Sequence, residues 1–327
     1  MIPAQNTNDT VGGSGPTGES LIDPQTLMRI KNLEWRARAV VEGFLNGIHR
    51  SPFHGFSVEF SEYRQYTPGD DPRYLDWKLY ARTDRYFVKR FEDETNLRCH
   101  LVLDLSRSMS FGSIGYEKRE YAATLAATVA YFLTTQRDSV GLLTFSDRIE
   151  QYVPSRYRPG HLHHICVCLE KPVAGEGTDV NGPLEQIAQT VKKRGLIVIA
   201  SDFLADIDQL EKNLGYLRSR GHEVVVFQLL DPAEKDFSFS DPTMFRDLET
   251  GRNLYVDPNT AGPEYRRLLG EHIEQLSSIC AELGVDFCPF TTDQPLEMAL
   301  FDFLQARTRR ATMSRRNRQR HSSWGAK

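Results

Sequence analysis

Several common signatures are missing from this chain of 327 residues. No apolar run approaches the roughly 18 residues that a membrane-spanning helix requires. The opening MIPAQNTNDTVGGSGPTGES lacks the basic-then-apolar pattern of a secretory signal. Cysteines number five and never fall in CxxC spacing, which fits reduced thiols rather than a disulfide framework. A G-x-x-x-x-G-K-[ST] loop is absent, so the chain is not expected to hydrolyse ATP itself. A G-x-S-x-G nucleophile elbow is absent too. Nor is there a large excess of one charge: the net charge is −4, with 26% of residues charged. That balance argues against nucleic acid or an anionic membrane as the main partner of the folded part. The expectation is a soluble, cytoplasmic protein with enough apolar residues, 40%, to bury a sizeable core.

What is present is most concentrated at Asp104-Leu105-Ser106-Arg107-Ser108. Cys99 to Leu105 (CHLVLDL) reads as a buried strand, and the carboxylate and two hydroxyls come where that strand would emerge. In a doubly wound sheet the crevice at the carboxyl ends of the strands is where ligands bind. One carboxylate and two hydroxyls suit a hard cation that keeps part of its water, as Mg2+ does. An Asp cap followed by Ser residues opening the next helix would give the same local pattern. Two later segments bear on the choice. Gly177-Thr178-Asp179 lies in a loop before a helical stretch from Val180 to Lys193, and Ser201-Asp202 closes a second apolar run, LIVIA.

From Arg98 onward, apolar runs alternate with helical patterns, as in parallel α/β proteins. Strands are expected at Ser139 to Phe145, Leu196 to Ala200, Glu223 to Leu230 and Val285 to Phe290. Helices are expected at Lys118 to Arg137, Gly160 to Lys171, Asp206 to Arg220, Pro263 to Leu283 and Leu296 to Arg309. A surface hairpin is expected over 246–255, turning at Thr250-Gly251. Upstream, Thr26 to Ile48 has apolar residues at helical spacing, including Leu27, Ile30, Leu33, Ala37, Val40, Val41 and Phe44. His161, His164 and Cys168 share a helical face and have zinc-ligand chemistry; burial of the thiol as a small apolar group is the preferred reading. The tail from Arg307 holds seven Arg and one Lys with no acid, a pattern usually belonging to a solvated end.

The order strand, Asp-x-Ser-x-Ser, distant loop Thr, strand ending in Asp resembles the metal-ion-dependent adhesion site of von Willebrand factor A domains. The five positions are Asp104, Ser106, Ser108, Thr178 and Asp202. The resemblance implies a doubly wound, mostly parallel α/β sheet of Rossmann-like type. It implies that Ser106, Ser108 and Thr178 bind Mg2+ (or Mn2+ or Ca2+) through hydroxyls, with Asp104 and Asp202 holding it largely through water. Such an ion would take a carboxylate from a partner. A lysine or arginine filling the space between these side chains would count against that site.

A second resemblance lies upstream, where Gly47, His49, Arg50, Ser51, Gly55, Glu59, Phe60, Glu62, Arg64, Tyr66, Gly69, Asp70, Asp71, Arg73, Asp76, Trp77, Ala81 and Arg82 match a signature. It is that of the bacterial domain-of-unknown-function 58 proteins, which carry it just before a von Willebrand A-like domain. The segment offers either an ion-pair network that fixes it on the sheet or a partner-binding surface made by Asp70, Asp71, Arg73, Asp76, Trp77 and Arg82.

The expected organisation is an N-terminal stretch at 1–24, a family-specific segment at 25–97, the von Willebrand A-like domain at 98–308 and a basic tail at 309–327. The resemblance implies a non-enzymatic binding module, an adaptor that works with a MoxR-type AAA+ ATPase on a protein client. One alternative is a Mg2+-dependent hydrolase or phosphotransferase. The haloacid dehalogenase version wants a second acid two residues after the first, where this chain has Ser106. Nucleic-acid binding through the basic tail is the other alternative.

Overall fold

The structure, a computed structural model, describes residues 21–50, 63–65, 87–89, 97–171, 181–191, 193–239, 241–246 and 253–306. Two helices come first, α1 (Pro24–Met28) and α2 (Leu33–Arg50). The sequence pattern predicts one helix here, and the break between them has a cause. Asn32 accepts a hydrogen bond from the Trp35 backbone N–H at 2.9 Å, which starts a new helix as an N-cap does. Ile30, counted in the predicted apolar stripe, is exposed. Leu33, Ala37, Val40, Val41 and Phe44 are buried at spacings of three and four along α2.

Next come two short strands, β1 (Tyr63–Gln65) and β2 (Phe87–Lys89), paired antiparallel. β3 (Arg98–Asp104) opens the main sheet, and a 3-10 turn (Arg107–Ser110) leads toward α3 (Lys118–Thr135). β4 (Ser139–Phe145), β5 (Ile149–Arg156), α4 (His161–Leu169), α5 (Asn181–Thr190) and β6 (Leu196–Ser201) follow. Then come α6 (Ile207–Ser219), β7 (Glu223–Leu230) and the single turn α7 (Pro232–Asp236). The hairpin strands β8 (Thr243–Arg246) and β9 (Asn253–Val256) are antiparallel; the predicted turn between them lies outside the described residues. α8 (Pro258–Leu283), β10 (Asp286–Thr291) and α9 (296–306) complete the series.

The six-stranded sheet has the order β10-β7-β6-β3-β4-β5. Its pairs are parallel except β4 with β5. This is the doubly wound α/β architecture expected from the sequence. Alternate side chains of each central strand serve opposite faces. Leu101 and Leu103 of β3 join Val198, Phe227 and Phe290 in a core covered by α2, α3, α4 and α9. Val102 joins Ile197, Ile199, Val224 and Val226 in a second core under α5, α6 and α8. Coverage on both sides is why these strands read as continuous apolar runs instead of alternating ones. α2 therefore shares the main core with the sheet.

β5 has no counterpart in the expected elements. Its sequence, IEQYVPSR, buries only Val153 and contains Pro154, so it lacks the apolar run that marks the central strands. A proline is tolerated because this strand lies at the edge of the sheet. The pairing with β4 requires Gly141, where a Cβ would lie 2.7 Å from both the Ser155 nitrogen and the Val153 oxygen. α8 begins five residues before its predicted start at Pro263. Asp257 accepts from the Asn259 N–H at 3.0 Å and Pro258 takes the first helical position. In α4, His161 is buried with its Nε2 2.7 Å from the Val140 carbonyl, and Cys166 and Cys168 are buried as apolar groups. Among the described residues no helix is long and apolar enough to cross a membrane.

Candidate functional site

β3 and β6 are neighbours, and the chain leaves them toward opposite edges of the sheet: β3 is followed by β4 on one side, β6 by β7 on the other. The crevice between their carboxyl ends is the topological switch point, where doubly wound sheets bind ligands. Asp104 ends β3, and Asp202 directly follows β6. Both are buried.

Local hydrogen bonds hold the first motif in shape. Asp104 Oδ1 accepts from the Ser106 backbone N–H at 2.8 Å, and its Oδ2 accepts from the Ser201 hydroxyl at 2.5 Å. The Ser106 and Ser108 hydroxyl oxygens are 3.0 Å apart. Met109, wholly buried in the 3-10 turn, ties this loop to the core. On the β6 side, Asp202 Oδ1 accepts from the Leu204 N–H at 3.3 Å, and its carbonyl accepts from Gln228 Nε2 at 3.2 Å. Phe203, next in sequence, has a φ of 55°, a left-handed conformation unusual for an aromatic residue. Its N–H donates to the Ser201 hydroxyl at 3.0 Å, and its carbonyl lies 2.8 Å from His272 Nε2. The turn that presents Asp202 is thus held from both sides.

The structure brings Asp104, Ser106, Ser108 and Asp202 to this one place. Thr178 lies outside the described residues, as do Asp70, Asp71, Arg73, Asp76, Trp77 and Arg82.

Sequence reasoning missed a third contributor. Lys118, the first residue of α3, is completely buried, with its Nζ 2.9 Å from Asp202 Oδ2 and 2.9 Å from Glu234 Oε1. A lysine at a motif carboxylate is the kind of occupant that counts against a cation, and it takes up one oxygen of Asp202. These bonds run toward α7, where Glu234 also accepts from the Asp231 N–H at 3.0 Å. Asp231 in turn accepts from Ser113 and Ala233. Beside this set stand the stacked rings of Phe237 and Phe245, 5.8 Å apart, and Tyr265, 4.6 Å from Phe237. A signal was available in the sequence: a lysine opening a helix opposes the helix dipole, which favours anions at that end. It is tolerated here because carboxylates from the end of β6 and from α7 meet it.

The electrostatics follow from burial. Burial first, then the nearby Asp202 carboxylate, push Asp104 up to about 7 against hydrogen bonds from Ser201 and Ser106. Burial alone would favour a neutral Lys118, but Asp202 and Glu234 outweigh it and its pKa is raised. Glu234 is also raised, because burial outweighs Lys118. Two carboxylates, Asp202 and Glu234, thus meet one ammonium, and a third, Asp104, lies near Asp202. Fully ionised, this set carries two uncompensated negative charges beside two hydroxyl oxygens. A divalent cation with oxygen preference suits that donor set and that charge. Among the described residues, no cluster of three His, Cys, Asp or Glu has metal-holding geometry, so any ion here would depend on the serine hydroxyls.

Relatives and solved structures resemble the chain in different degrees. Uncharacterized protein Rv1480 of Mycobacterium tuberculosis is 27% identical over 294 residues, 88% of this chain and 92% of the relative. A Mycobacterium avium protein, uncharacterized protein MAV169, is 25% identical over 156 residues, covering 47% of this chain and 90% of that protein. Among solved structures, the conserved hypothetical protein BatB from Bacteroides thetaiotaomicron is 13% identical with a TM-score of 0.47, over 65% of this chain and 99% of that one. The SpRpn10 VWA domain is 14% identical with a TM-score of 0.39, over 62% and 94%. Both scores fall below 0.5, so the fold assignment here rests on the strand order itself. The family described as Protein of unknown function DUF58 matches residues 62–274, and the chain belongs to that family.

Proposed function

We propose that the chain is a metal-dependent protein-binding module whose ion sits at the switch point between β3 and β6. The observation that carries this reading is the meeting of Asp104, Ser106, Ser108 and Asp202, 98 residues apart at the extremes, in one crevice where all but Ser108 are buried. Mg2+, or Mn2+ in its place, would be held by the Ser106 and Ser108 hydroxyls, with Thr178 as the third hydroxyl expected from the motif. The ion supplies a Lewis-acidic position for a carboxylate of a protein partner. The chain's own residues do the rest. Ser201 and the Ser106 N–H orient Asp104, while the Phe203 turn orients Asp202. An adaptor of this kind would present a client to a MoxR-type AAA+ ATPase, as resemblance to the family implies.

The test is partner capture by the full chain, with the ATPase as bait, in Mg2+ and in chelator. Asp104→Ala is expected to abolish capture while circular dichroism shows the fold retained. Capture that persists in chelator and in Asp104→Ala eliminates the metal-bridged mechanism.

A further inference from the structure

We propose that Lys118 is a built-in counter-cation of the ion site, shared between Asp202 and Glu234, and that it sets how tightly a divalent ion is held. This rests on the cation reading above. Three observations lead to it. Lys118 is wholly buried, so its charge acts on its neighbours with little screening by water. Both oxygens of Asp202 already accept hydrogen bonds, one from Lys118 and one from the Leu204 N–H. An ion drawing on Asp202 must therefore share it with the ammonium. Finally, Glu234 competes for the same ammonium at the same 2.9 Å distance, so the two carboxylates divide one positive charge.

The division has opposite consequences at its two ends. Removing the ammonium frees Asp202 Oδ2 and leaves the crevice more negative, so a divalent ion binds more tightly. Removing Glu234 leaves the ammonium wholly to Asp202, so the ion binds more weakly. A purely structural ion pair predicts neither: both changes would lower stability and leave ion affinity alone. The functional gain of the lysine is an ion that keeps more of its charge for an incoming carboxylate.

The experiment measures Mn2+ binding to the full chain by the loss of the free-ion electron paramagnetic resonance signal. Lys118→Met is expected to tighten binding at least about tenfold, and Glu234→Gln to weaken it roughly threefold or more. Losing one partner of a buried pair is costly to the fold, so the double variant Lys118→Met/Glu234→Gln is the safeguard. It removes opposite charges together and is expected to bind Mn2+ at least about tenfold more tightly than Glu234→Gln alone. If wild type binds Mn2+ and the folded variants match it within twofold, Lys118 is a structural ion pair and the inference fails. If wild type takes up no Mn2+, the cation reading fails and takes this inference with it.

Discussion

The two ends of the central strands bury polar groups in opposite ways. At the carboxyl ends, Asp202 and Glu234 share one ammonium, and Lys118 keeps its charge. At the amino ends, His100 in β3 and His222 just before β7 are buried, and each leaves its Nδ1 without a hydrogen-bond partner. Burial, then the neighbouring His222 and Arg98, bring His100 down to about 4; burial likewise lowers His222. A buried group that can shed its charge does so, whereas one with opposite charges around it keeps it. The amino end is built for packing. The carboxyl end keeps its ammonium charged, although burial raises Asp104 and Glu234 there.

Three measurements test this contrast, the largest effect first. Folded His100 resists protonation until about pH 4, while the unfolded chain takes the proton near 6.5. Stability contributed by the neutral ring is therefore complete above pH 6.5 and is lost as the pH falls toward 4. Urea unfolding is expected to show wild type losing about 2–3 kcal/mol more than His100→Gln between pH 7.5 and 4.5. Equal losses would mean that the amino end tolerates charge as the other end does.

At the carboxyl end, Asp104→Asn keeps an acceptor for the Ser106 N–H and removes a buried carboxyl next to Asp202. In chelator at pH 8 it is expected to raise Tm by roughly 3 °C or more, while eliminating Mn2+ uptake. An unchanged or lower Tm would show that the carboxylate is fully compensated by the protein itself. The smallest stability effect is expected at Ser108, which is only half-buried. Ser108→Ala should alter stability by no more than about 0.5 kcal/mol, yet lower Mn2+ affinity several-fold. A stability loss without an affinity loss would make this hydroxyl part of the scaffold.

Legibility from sequence followed the range of the interactions. The runs VVVFQLL in β7 and LIVIA in β6 could be read as strands because burial on both faces leaves an apolar run. IEQYVPSR could not, since an edge strand with one buried residue carries almost no such mark. The N-cap role of Asn32 was local and could have been read; helical spacing across Leu27 and Ile30 concealed it. The Asp104-to-Ser108 loop is held by bonds two residues apart, so its local shape follows from its own residues.

By itself, then, the sequence determined the α/β alternation, the family and the residue types offered at the end of β3, because periodicity and short motifs are local properties of a chain. Only the tertiary structure decided what those oxygens meet. Lys118 reaches Asp202 across 84 residues and Glu234 across 116. Such meetings depend on which strands lie side by side. Nothing in the spacing of a lysine predicts which carboxylates the folded sheet will bring to it; the order of the strands does.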